Sequence, residues 1–264
     1  MLQSSFCTIA FQDKKWAKDV RVERPLFDIL PTLAEAGYDA AEIWAPHAMQ
    51  LEPEQLVRTR GQMDQLGIGA SLISPYFDFT TSSQTARDSL GTGRRCVEIA
   101  TVLGASGIRC FTGKVGSAEA TERQWDLAVA NLQKLAALAE PAGLFLACET
   151  HSRNLMDTPE SAKDLMQRVD RPNVGLIFQP GTFGPETCYD ALDMLWPWTR
   201  HVHANNRKGD QPALLADGDI DYRRIFQQLR QAGVDGYVSI EWMGDDVEQV
   251  ARAEAAWLAE QLKG

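Results

Sequence analysis

The sequence predicts a single (β/α)8 barrel, and three observations predict it. One phrase recurs along the chain: an amphipathic helix, a glycine or proline stop, then a short apolar run rich in β-branched or aromatic residues. Eight such runs can be counted, and strands that alternate with helices throughout imply a parallel sheet. The length of 264 residues allows about 33 residues per unit, which a strand, a helix and two loops require. A doubly wound open sheet is the rival architecture. No stretch reads as a linker, so residues 1–264 are taken as one domain.

The first strand is placed near Cys7 to Phe11, where an apolar run precedes the first basic segment. Later strands end the segments Glu35–Trp44, Leu66–Ile73, Leu103–Phe111 and Pro141–Glu149, each containing a glycine near its start that stops the preceding helix. Strands six and seven are read at Val174–Gln179 and His201–Asn205, and the eighth ends the run Gln231–Glu241. Helices are expected at roughly 24–36, 51–66, 82–103, 119–140, 158–168, 185–195, 220–232 and 245–262. The run Asp157-Thr-Pro-Glu-Ser161 is a helix start, since Asp or Thr can cap and proline suits the first turn.

Composition excludes some functions. A net charge of −10 opposes a surface built to grip phosphate backbones, so no nucleic-acid partner is expected. The longest apolar runs, such as Gly143–Cys148, are far too short to span a bilayer, and no membrane partner is expected. The N-terminal Met1–Cys7 lacks a basic region and a long apolar core, so a cytoplasmic location is expected. Five cysteines are odd in number and lack CxxC spacing, which suits free, packed thiols; Cys148 faces the helices if Glu149 faces inward.

Side chains at the carboxyl ends of barrel strands converge on one rim. Glu149, Gln179, His203 and Glu241 close the last four apolar runs and together offer the oxygens and imidazole of a divalent metal site. Strand alternation agrees: Glu149 shares a side with Phe145 and Ala147, Gln179 with Gly175 and Ile177, His203 with His201, and Glu241 with Tyr237 and Ser239. Glutamine is neutral where a carboxylate is the ordinary choice. His151 has the parity of Glu149 and is read as a substrate contact, whereas His201, one layer deeper, reads as structural. Glu42 and Trp44 at the end of strand two, Tyr76 after strand three, Lys114 after strand four and Arg207 after strand seven are further pocket candidates. Thr112-Gly-Lys114 lacks phosphate-loop spacing, and neither a GxSxG elbow nor a GxGxxG turn is present.

The runs Ala147-Cys-Glu-Thr-His151, Asp157–Ser161, Arg171–Gln179, His201-Val-His203, Asp217–Tyr222 and Gly236–Glu241 together resemble the xylose-isomerase-like TIM barrels. That family includes sugar-phosphate isomerases and epimerases, ketose 3-epimerases and hydroxypyruvate isomerases. The resemblance implies one divalent ion (Mn2+, Mg2+, Co2+ or Zn2+) on Glu149, Gln179, His203 and Glu241, with Gln179 standing where the family has Asp. It implies that Glu149 and Glu241 also move protons, through a metal-stabilised enediolate, in isomerising or epimerising a small keto-sugar. Thr182 stands where many epimerases have histidine, and Asn205-Asn206 where Lys-Asp often follows the strand-seven histidine.

Dehydration of a keto-cyclitol or a dehydroshikimate-like substrate is the alternative, because the same enolate beside a β-hydroxyl expels water. A metal-free sugar-binding relative follows from Gln179. A DNA-repair endonuclease of related fold is opposed by a histidine set of only His47, His151, His201 and His203. A homo-oligomer is compatible with the family.

Overall fold

The computed structural model describes residues 1–13 and 21–262. In chain order the elements are β1 (Leu2–Cys7), α1 (Leu26–Ala36), β2 (Ala40–Trp44), α2 (Ala45–Met49), α3 (Pro53–Leu66), β3 (Gly69–Ser74), α4 (Ser83–Leu103) and β4 (Gly107–Cys110). They continue with α5 (Glu122–Ala139), β5 (Phe145–Glu149), α6 (Pro159–Val169), β6 (Val174–Phe178), α7 (Cys188–Leu195) and β7 (Thr199–Ala204). The last are a small hairpin of β8 (Asn206–Lys208) and β9 (Gln211–Ala213), then α8 (Tyr222–Gln231), β10 (Gly236–Ile240) and α9 (Val247–Gln261). Strands β1 to β7 and β10 close into a parallel barrel, β10 pairing with both β7 and β1.

Each expected helix is present within a few residues of its expected bounds. One strand differs. The chain leaves the sheet at Cys7, and Thr8–Phe11 is a 3-10 turn instead of a strand. Thr8 explains the departure: its hydroxyl accepts from Trp44 N at 2.9 Å and pairs with His47 Nδ1 at 2.9 Å, so it folds over the end of β2. Helix α2 and the β8–β9 hairpin are additions to the expected pattern.

The main core lies between barrel and helices, where Cys148, Phe178, Val238 and Ile240 pack with the inner faces of the helices. Inside the barrel, Leu72, Ala147 and Ile177 form a separate cluster with Phe145 against it. The strand alternation expected for β5 and β6 is therefore observed, and it carries Glu149 and Gln179 to the open end. All five cysteines are free and buried.

Candidate metal centre

Glu149 is the last residue of β5, His203 lies near the end of β7, and Gln179 and Glu241 immediately follow β6 and β10. Backbone ties hold these ends. Thr150 Oγ1 accepts from Gln179 N at 2.9 Å, and Glu241 N donates to Ala204 O at 2.9 Å. Ligand atoms of Glu149, His203 and Glu241 all lie within 4.8 Å of one another. Two atoms that share a cation at bonds of about 2.0–2.4 Å can be no farther apart than this.

Gln179 joins them. Its amide faces Glu241 Oε2 at 3.1 Å and Glu149 Oε1 at 3.2 Å. With nitrogen inward it donates to both carboxylates. With oxygen inward, Nε2 donates to Thr182 Oγ1 at 3.4 Å, and three oxygens face one another, an arrangement that a cation between them stabilises. The donor set therefore fits a hard divalent cation held by Glu149, Gln179, His203 and Glu241.

The layer beneath is built to orient His203. Glu42, 1% exposed, contacts His203 Nε2 through Oε1 at 2.9 Å and Oε2 at 3.1 Å. It also contacts His201 Nε2 at 2.9 Å and accepts from Ser74 Oγ at 2.5 Å. With Nε2 committed to Glu42, His203 turns Nδ1 toward Glu149 Oε2, 3.6 Å away. A carboxylate behind a metal-facing imidazole fixes tautomer and ring orientation. His201 completes the layer through Ser239 Oγ at 2.8 Å, the structural position expected of it.

The electrostatics are uneven. Burial opposes the imidazolium of His203, but the adjacent carboxylates of Glu42 and Glu149 outweigh it and hold its pKa well above the usual histidine range. Burial also opposes ionisation of Glu149, yet His203 and Arg109 pull its pKa below the ordinary value. Glu241 moves the other way: burial and the Glu149 charge raise its pKa despite the pull of His203. Arg109 Nη1 donates to Glu149 Oε2 at 3.2 Å, while Glu241 accepts from Asn205 Nδ2 at 3.0 Å.

The structure spreads the remaining sequence candidates over four positions. His151 is half-buried at the rim of the cavity, about 470 Å3, that also contains Glu149, Gln179 and Glu241. Arg207 is exposed on the hairpin, donates to Asp210 O, and lines an adjoining space of about 300 Å3 with Gln179 and Asn205. Lys114 lines a third cavity beyond His151. Glu42 and Trp44 lie below the mouth: Glu42 is in the layer under His203, and Trp44, 2% exposed, packs on Cys7 and Ile9. Thr182 donates to Thr150 O at 2.9 Å and Asn206 ties the loop after β7 together through Leu215 and Ile220.

Two pocket residues were not among the sequence candidates for the pocket, Asn205 being noted only as a departure from the family pattern. Arg109 is 3% exposed and reaches the mouth from within β4, donating also to Pro75 O at 3.2 Å. A lone arginine between Ile108 and Cys110 in an apolar strand was the available signal. Asn205 is held by Tyr222, whose hydroxyl donates to Asn205 O at 2.7 Å and accepts from Asn205 N at 3.0 Å.

Comparison with known proteins places this fold. A 3-dehydroshikimate dehydratase of Bacillus anthracis is 25% identical over 286 aligned residues, spanning 96% of this chain and 95% of that protein. The D-psicose 3-epimerase of Clostridium cellulolyticum H10, solved with D-tagatose, superposes with a TM-score of 0.82 at 15% identity over 99% of both chains. A protein of Mycobacterium smegmatis solved in complex with magnesium superposes at 0.79, with 19% identity over 99% of this chain and 96% of that one. The family model described as xylose isomerase-like TIM barrel matches residues 30–261, and the chain belongs to that family.

Proposed function

We propose that this chain removes a proton next to the carbonyl of a small polyhydroxylated keto compound and completes the reaction by expelling water. The observation that carries this reading is the unequal holding of two carboxylates in one cavity. Glu149 is anchored by the Arg109 ion pair at 3.2 Å, whereas Glu241 accepts a hydrogen bond from the neutral amide of Asn205 at 3.0 Å. A carboxylate paired with a buried guanidinium is the weaker base of the two, so these environments assign proton transfer to Glu241.

A divalent cation on Glu149, Gln179, His203 and Glu241 would polarise the substrate carbonyl and acidify the neighbouring C–H. Glu241 then takes that proton, and the C–H electrons form the new double bond as the β C–O bond breaks. The protonated Glu241 returns its proton to the departing hydroxide as water. One base suffices, which suits elimination on a single face. The full-length likeness to a dehydratase supports the same outcome.

Isomerisation or epimerisation is the second reading, favoured because Glu149 and Glu241 line the same cavity and can address two faces of one carbon. Product mass separates the two. The protein is supplied with Mn2+, Mg2+, Co2+ or Zn2+ in deuterated water and offered 3-dehydroshikimate, keto-cyclitols and ketoses, with NMR and mass spectrometry as readouts. Loss of one water is expected; exchange at conserved mass selects the isomerase. Glu241→Gln should abolish both exchange and turnover, and an active variant would sink the role given to Glu241. No exchange with any cation removes the proton-transfer reading altogether.

A further inference from the structure

A cavity of about 550 Å3 opens beside the mouth and shares Tyr76, Phe111 and His151 with it. Its outer wall comes from the loops after β4 and β5, which contribute Lys114 and Arg153. Among the described residues no aspartate or glutamate lines this space, and neither Lys114 nor Arg153 has an ion-pair partner. The chain as a whole carries 36 acidic against 26 basic residues, so an acid-free pocket with two open cations runs against the composition.

The two loops are fixed to each other and to the metal centre. Leu155 N donates to Thr112 Oγ1 at 2.9 Å, and Asn154 Nδ2 donates to Glu149 O at 3.1 Å. Lys114 N donates to Thr80 Oγ1 at 3.2 Å, across Gly113, whose φ of +147° and contact with Thr80 leave no room for a Cβ. Arg153 itself has a φ of +62°, a left-handed conformation rare for a residue with a side chain. A hydrogen bond thus holds the Lys114 backbone, and Arg153 directly precedes Asn154, whose side chain ties its loop to Glu149.

We propose that this cavity is an anion subsite, which takes the carboxylate or phosphate arm of the substrate through Lys114 and Arg153. That the keto-polyol end then lies between Glu149 and Glu241 rests on the function proposed above; the anion subsite does not. The charge distribution orients such a molecule. The two cations draw an anionic arm outward, and Tyr76 and Phe111 supply an apolar wall between the two cavities. Arg109 stacks over the same two rings at 4.6 and 5.0 Å, so the wall is held from behind.

The test is calorimetric binding to the full chain loaded with Mn2+, using matched pairs: 3-dehydroshikimate with its methyl ester, and fructose 6-phosphate with fructose. The anion of one pair should bind about tenfold or more tightly than its neutral partner, and the pair that shows it tells carboxylate from phosphate. The Lys114→Met, Arg153→Met double variant should lose that preference while its melting temperature and Mn2+ affinity stay unchanged. Equal affinities within both pairs, no binding of either anion, or a preference that survives the double substitution overturns the proposal. Deuterium exchange on the bound probes is read in parallel. Anion-selective binding without exchange refutes the enolising function and leaves the subsite standing.

Discussion

Gln179 is a neutral side chain between two carboxylates, and its amide can serve either a metal-loaded or a metal-free centre. Turned one way it donates to Glu149 and Glu241; turned the other it contributes a third oxygen. Replacing it by aspartate adds a negative charge to the donor set, and Gln179→Asp is expected to tighten Mn2+ binding about tenfold or more, measured by titration calorimetry. Glu42→Gln is expected to weaken it about 10–100-fold with the circular dichroism spectrum unchanged, because His203 loses the carboxylate that sets its tautomer. A Glu42→Gln protein with wild-type affinity would show that His203 needs no such support. At this scale the sequence was legible where strand parity sufficed, as for Glu149 and His203. It was silent on Arg109 and marked Asn205 only as a departure from the family pattern, because their partners lie on other strands.

The elements follow local rules closely. Helix α6 begins where the proline and capping residues place it: Thr158 Oγ1 accepts from Ser161 N at 3.1 Å, and Pro159 occupies the first turn. Thr158→Ala is expected to cost about 1 kcal/mol in urea unfolding, since one amide at the helix start loses its acceptor. No loss of stability would mean that water replaces the cap fully. Where elements departed from expectation, a long-range contact had intervened. The turn at Thr8–Phe11 depends on Trp44 and His47, and the loop around β8 and β9 depends on Asn206, which donates to Leu215 O and Ile220 O at 3.0 and 2.9 Å. Neither contact leaves a periodic trace in the sequence.

The stability of the whole barrel should carry a pH signature from Glu254 in α9. This side chain is 2% exposed; burial raises its pKa to about 7, opposed by the hydrogen bond that Leu215 N donates to it. A carboxyl whose folded pKa exceeds the unfolded value of 4.5 favours the fold fully below 4.5 and loses that advantage as pH rises toward 7. Glu254→Gln should therefore be more stable than the wild type at pH 8, by at most about 3 kcal/mol and with a higher melting temperature, and the gap should close near pH 4.5. Melting curves that run parallel across this range would show that the carboxyl ionises without penalty. Among the described residues, no helix is long and apolar enough to cross a membrane.

Periodicity and parity are local properties, so the sequence by itself determined the eight-unit barrel, the bounds of its main helices and the residues that close β5 to β7 and β10. Closure of the sheet is not local. It alone decided that Glu42 lies under His203, that Arg109 anchors Glu149, and that Lys114 faces a different cavity from Arg207. The physical reason is that a strand's alternation specifies which side a residue faces, whereas its partners are set by the stagger of neighbouring strands around the barrel. Those partners, and not the residue types alone, single out one of two similar glutamates as the proton acceptor in the function proposed for this chain.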